Sequence, residues 1–165
     1  MSRFTAIPDK AMGQGGVSHV IQELADLYDM LAKVHGTVDA MVADLSDEQW
    51  LKSPRPNWNN IASILDHVTR VERKFFSAVG GQVEDIDVGA PFRATAWDLT
   101  SIRQAWTDSL PYAERILESL RPEDLTAPGL TMRFGELNKR QLIVNAIAHT
   151  AHHRGQIPLI KKLLG

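Results

Sequence analysis

Apolar residues recur at three- and four-residue steps along most of the chain. Val20, Leu24, Leu27, Leu31, Val34, Val38, Met41 and Leu45 form a stripe suited to one face of a helix that begins near Val17. Ser46 with Gln49 three residues on has the form of a capping box for a short turn, and Pro54 and Pro56 then break the chain. Ile61, Ile64, Leu65, Val68, Val71, Phe75 and Val79 predict a second helix from about Trp58 to Val79. Asn57 is its expected N-cap and Gly80-Gly81 its stop. Leu99, Ile102, Trp106, Leu110, Ala113 and Leu117 predict a third over Trp97–Leu120, with Pro111 expected to kink it or reset its start. Asn138 caps a fourth over Lys139–Leu164, with Gln141 at the capping-box position and Pro158 expected to bend it.

The segments between the helices lack period. Residues 1–16 contain Pro8, Gly13, Gly15 and Gly16 and read as an N-terminal arm, leaving 17–165 as one domain. Residues 80–95 are rich in glycine and acids and long for a connection, which suits a crossover along a bundle. Residues 121–137 are irregular, with LTMRF at 130–134 as one short extended piece. Four long helices without convincing alternating strands predict an all-α four-helix bundle with a long crossover between helices 2 and 3.

Composition narrows the chemistry. The 165 residues carry 18 basic and 20 acidic side chains, a formal charge of −2, so no general basic field points to nucleic acid or an acidic membrane. No apolar run has the length of a membrane span, and the start lacks the apolar core of a secretory signal, so a cytoplasmic protein is expected. There is no cysteine, which excludes disulfides, zinc-thiolate sites, iron–sulfur clusters and a cysteine nucleophile. Histidine is the remaining strong nitrogen ligand, and there are six: His19, His35, His67, His149, His152 and His153.

At about 100° per residue, His149 and His153 fall inside the apolar face of helix 4 defined by Leu142, Ala146, Ile157 and Ile160, with His152 on its flank. A histidine pair at i, i+4 is the spacing by which one helix offers two imidazoles to one metal. Unpaired imidazoles on an inward face would be costly without a hydrogen-bonding or metal partner. His67 lies at the edge of the helix 2 stripe and can face a neighbouring helix. Two histidines from one helix and one from another would leave positions open, the arrangement of a catalytic rather than a structural zinc site. Against this, such a pair can be an incidental polar patch, and His67 alone a structural residue. His19 and His35 read as surface or boundary residues of helix 1.

The string His149-Thr150-Ala151-His152-His153-Arg154-Gly155-Gln156-Ile157 resembles the signature of the DinB-like metal-binding four-helix bundles. The stretch from Trp58 to Val68 around His67 resembles the matching part of helix 2, more loosely, and the whole resemblance covers roughly 18–164. It implies that His67, His149 and His153 bind a divalent metal, zinc or nickel, and that the protein is a homodimer. Relatives include thiol-dependent transferases and isomerases, so it implies S-transfer from a low-molecular-weight thiol, or else hydrolysis, on a small-molecule substrate. With no cysteine in the chain, that thiol must come from outside.

Three further residues are weaker catalytic candidates. Glu72 falls in the apolar sector of helix 2 and suits a general base or a partner of a ligand, although pairing with Arg or Lys is the plainer expectation. Arg154 and Gln156 flank the histidine pair and could orient an anionic substrate; as plainer alternatives they are a solvated and a hydrogen-bonded helix residue. Glu84, Asp85 and Asp87 read as a solvated acidic loop, and the four tryptophans as core anchors or a dimer contact. No Glu-x-x-His, His-Glu-x-x-His, Gly-x-Ser-x-Gly or phosphate-binding loop is present. The alternative to a metal-dependent enzyme is a non-catalytic metal-binding or structural helical-bundle dimer with a role in stress. A histidine phosphotransfer bundle needs an exposed histidine, which the inward pair disfavours.

Overall fold

In the computed structural model the described residues are 15–165, with side chains from residue 22 onward. The expected arm over 1–16 therefore falls almost wholly outside the described residues, as does the side chain of His19. Helix α1 spans Gly15–Val42 and the short α2 Asp47–Leu51; α2 starts on the expected Ser46–Gln49 capping box. Helix α3 spans Ile61–Val79, α4 Leu99–Glu118, α5 Lys139–Arg154 and α6 Gln156–Leu164.

Two buried clusters define the bundle. One gathers Leu24 and Leu31 of α1, Phe75 and Phe76 of α3, Leu117 of α4 and Leu142 of α5. The other gathers Val38 of α1, Ile61 and Leu65 of α3, Ile102 and Trp106 of α4, and Ile157 of α6. Thus α1 and α5–α6 run from the first cluster to the second, and α3 and α4 run the other way. Two ion pairs fix the parallel outer pair: Arg140–Glu23 at one end and Lys161–Asp44 at the other. Consecutive helices α3 and α4 are parallel, so the chain must travel back the length of α3 between them. That is the work of the crossover, which carries a single 3-10 turn at Ala90–Phe92. Among the described residues no helix is long and apolar enough to cross a membrane.

Four expectations are corrected. The cap of α3 is Asn60, not Asn57: Asn60 and Ser63 exchange side-chain hydrogen bonds with each other's backbone N–H, while Asn57 sits in a left-handed turn at φ 63°. The helix therefore starts one turn later than the apolar pattern suggested. The single fourth helix is interrupted at Gly155, because Pro158 has no N–H to offer the Arg154 carbonyl. Strands are present after all: β1 Pro128–Met132 pairs antiparallel with β2 Gly135–Asn138. This hairpin lies on α5 so closely that a Cβ at Gly129 would collide with the Leu142 side chain. Trp50 and Trp106 are core anchors, but Trp58 is exposed and stacks only under Arg55.

One polar cluster joins the four long helices. Glu72 of α3, 1% exposed, accepts from His35 Nε2 of α1 at 2.9 and 3.1 Å, from Thr150 Oγ1 of α5 at 2.6 Å and from Ser109 Oγ of α4. The His35 ring also stacks on Trp106 with centroids 3.8 Å apart, and the Trp106 indole donates to Asp39. His35 is therefore a buried structural residue and not the boundary residue expected. Glu72 is paired with histidine and hydroxyls, not with Arg or Lys. Three donors serve the buried carboxylate, His35 Nε2 bridging both oxygens and one hydroxyl adding to each, as burial in an apolar core demands. Replacing Glu72 by alanine strands His35 and Thr150. The expected cost in a urea denaturation is about 3–5 kcal/mol. Glu84→Gln, which removes the charge of an exposed pair with Arg73, should shift the same curve by less than about 1 kcal/mol.

Candidate metal centre

His67 projects from the middle of α3, and His149 and His153 from successive turns at the end of α5. The Glu72–Thr150 hydrogen bond sets the register and rotation of α5 against α3. Thr150 is the neighbour of His149, so the same bond turns the histidine face toward His67. A ligand nitrogen from each of the three histidines lies within 4.8 Å of the others. Their ring centroids are 4.5–4.9 Å apart. His153 is buried and the other two are partly buried.

Backbone and side-chain acceptors fix two of the rings. His67 Nδ1 lies 2.6 Å from the carbonyl oxygen of Val88 in the crossover. A carbonyl only accepts, so in the neutral ring Nδ1 carries the proton and Nε2 presents a lone pair. His153 Nδ1 bonds Gln156 Oε1 at 2.9 Å, with the same result. Hydrogen bonds of this kind from the far ring nitrogen to an oxygen orient histidine ligands in metal sites. His67 Nε2 and His149 Nε2 are 3.0 Å apart, close to the roughly 3.3 Å edge of a tetrahedral ion with nitrogens at about 2.0–2.1 Å. His149 Nδ1 is buried with no hydrogen-bond partner.

Electrostatics favour the neutral form of His149 and His153. Burial first, and then the neighbouring His153, His67 and His152 rings, pull the His149 pKa from 6.5 down to about 3. Burial likewise lowers His153, partly offset by its bond to Gln156. Neutral imidazoles with converging lone pairs are the donor set a borderline divalent cation takes, so the residues present fit such an ion.

The remaining candidates are placed as follows. Gln156 acts on the cluster by holding His153. Glu72 reaches it only through Thr150, as part of the bundle's polar junction. Arg154 is one helical step, about 100°, from His153; its Nε is buried without a partner and it makes no contact with the three rings in the hydrogen bonds described. His152 is exposed, lies edge-on to the His153 ring with centroids 5.0 Å apart and meets Gln156 at 3.4 Å. Glu84 and Asp87 pair with Arg73 and Arg93 and, with Asp85, stand outside the cluster. Two features had no signal in the sequence: the Val88 carbonyl, which any residue could supply, and Phe92, whose ring lies 4.5 Å from that of His67.

The fold and this cluster define a class: a four-helix bundle, with a crossover between parallel central helices, carrying three inward histidines that could hold a metal ion. A family profile described as the DinB superfamily matches residues 30–157, most of the chain, and the protein belongs to that superfamily. No curated protein matches the chain.

Two outcomes are expected. Gln156→Ala, which frees the His153 ring, should weaken zinc binding in a competitive chelator titration by about 10-fold or more. The pH dependence has a definite sign. The folded His149 pKa lies below its unfolded value, so the unfolded chain binds more protons. Stability of the metal-free protein is therefore full above about pH 6.5 and falls progressively toward pH 3. Denaturation curves across that range should show the loss beginning below 6.5, and His149→Ala should reduce it.

Proposed function

We propose that the protein is a cytoplasmic, homodimeric, metal-dependent enzyme in which His67, His149 and His153 hold one divalent cation, zinc or nickel. The observation that carries this reading is the convergence of three ring nitrogens, two of them fixed as lone-pair donors by the Val88 carbonyl and the Gln156 amide oxygen. The cluster holds three groups and no fourth His, Asp or Glu among the described residues, which leaves room for a substrate atom. A bound divalent cation supplies Lewis acidity and lowers the pKa of a water or thiol at the open position.

The chain's own residues perform the rest. Val88 and Gln156 keep the His67 and His153 rings from rotating. Glu72 and Thr150 hold α5 against α3 at the separation the ligands need. Phe92 packs its ring against that of His67 and covers one side of it. Membership of the DinB superfamily supports S-transfer from a substrate thiol delivered from solution, with which the absence of cysteine is compatible; hydrolysis by an activated water is the other chemistry the open position allows.

Cobalt substitution tests this. Addition of a low-molecular-weight thiol should add sulfur-to-cobalt charge-transfer bands and alter the visible spectrum. A four-coordinate spectrum indifferent to thiols and anions would instead describe a closed, non-catalytic site. Metal analysis of a His149→Ala/His153→Ala variant prepared without chelators should show occupancy lost; full occupancy there would remove the ligand assignment.

A further inference from the structure

On the other side of the crossover from the histidines lies a cavity of about 610 Å³, between the crossover, α3 and α4. None of the three histidines lines it. The turn at Ala90–Phe92 divides the two regions: Ala90 and Pro91 face the cavity, while Phe92 packs on His67. Its size is that of a pocket for a small organic molecule. Much of its wall is apolar, from Ile86, Pro91, Trp97, Ile102 and Ala105.

The hydroxyl groups of the wall share one property. Each has already given its proton to the protein. Ser109 donates to Glu72, Thr69 to the Asp66 carbonyl, Ser101 to Asp98 and Tyr112 to Glu84. Toward the cavity these oxygens can only accept. The two lining arginines are neutralised in place, Arg70 by Asp66 and Arg73 by Glu84, and Arg73 also stacks on Tyr112. Two carboxylates, Asp98 and Asp108, have no cationic partner among the described residues. Asp98 is occupied as the N-cap of α4, receiving two backbone N–H groups and the Ser101 hydroxyl. Asp108 receives only the side-chain amide of Gln104, at 3.0 and 3.1 Å. Asp108 and Ser109 are adjacent, so an anionic acceptor and a neutral one sit side by side at one end of an apolar trough.

We propose that this cavity is a second ligand site, separate from the metal centre, and that it takes an organic cation: a protonated amine whose ammonium group meets Asp108 and Ser109 and whose apolar body lies over Ala105 and Ile102 toward Trp97. An ammonium brings three donors and no acceptor, the complement of the two acceptors at the Asp108–Ser109 end of the cavity. At that end a carboxylate or phosphate would face lone pairs and an unneutralised carboxylate.

The test uses three probes of one shape: 3-phenylpropylamine, 3-phenylpropan-1-ol and 3-phenylpropanoate. Binding is followed by the NMR resonance of the Trp97 indole N–H, assigned with a Trp97→Phe variant. The amine should bind saturably, at least about 10-fold tighter than the alcohol, with the acid weakest. Asp108→Asn should cost the amine about fivefold or more while leaving the alcohol unchanged. Ala105→Trp, with its fold checked by circular dichroism, should abolish binding of all three. His149→Ala should leave amine binding intact, which separates the site from any metal-bound amine. Equal binding of amine and acid, no effect of Asp108→Asn, loss of binding in His149→Ala, or no saturable shift up to about 10 mM amine would each overturn the proposal.

Discussion

The carboxylate of Glu72 is the point at which the bundle is pinned. It receives donors from α1, α4 and α5 in the middle of an otherwise apolar core. The hydrophobic effect that gathers the apolar stripes has no direction of its own. A buried carboxylate adds direction, since each donor it loses leaves a polar group without water or partner. The polar junction therefore selects one register for the four helices. The histidine site depends on that register, because Thr150 is bonded to Glu72 and His149 is its neighbour in the chain.

The crossover is the second constraint. Parallel α3 and α4 oblige the chain to return along the bundle, and the returning segment makes contacts on both sides. On one side it offers the Val88 carbonyl and the Phe92 ring to His67. On the other it roofs the cavity beside Asp108 and Trp97. It is anchored on α3 by Arg73–Glu84 and by Ser77, whose hydroxyl receives the Glu84 N–H. A loop of irregular sequence thus takes part in both candidate sites, in keeping with loops carried by a rigid scaffold.

The sequence made the helices, their order and the three-histidine candidate legible, because each is a local pattern: a stripe of apolar residues, a capping box, an i, i+4 pair. What it hid depends on contacts across helices. His35 lies on the same stripe as Leu31 and Val38, and Glu72 on the same stripe as Phe75 and Val79. Glu72 was legible in an apolar sector whereas His35 read as a surface or boundary residue, and their meeting follows only from the closure of the bundle, which brings them together across its core, 37 residues apart. Asn60 caps α3 in place of the expected Asn57, and Ser63, which completes the box with Asn60, is the residue that distinguishes them. The hairpin escaped because its strands are too short to show alternation and lie half-buried on α5. The holding of His67 rests on a backbone carbonyl, which leaves no trace in residue type.

Metal ligation by the three histidines is tested most directly by X-ray absorption at the zinc or nickel edge of the loaded protein. The expected first shell for zinc contains three imidazole nitrogens at about 2.0–2.1 Å and at least one exchangeable oxygen, replaced by sulfur when a small thiol is added. A shell with fewer than three imidazoles would contradict ligation by His67, His149 and His153. A full shell of protein ligands that no thiol or anion enters would contradict an open, reactive centre.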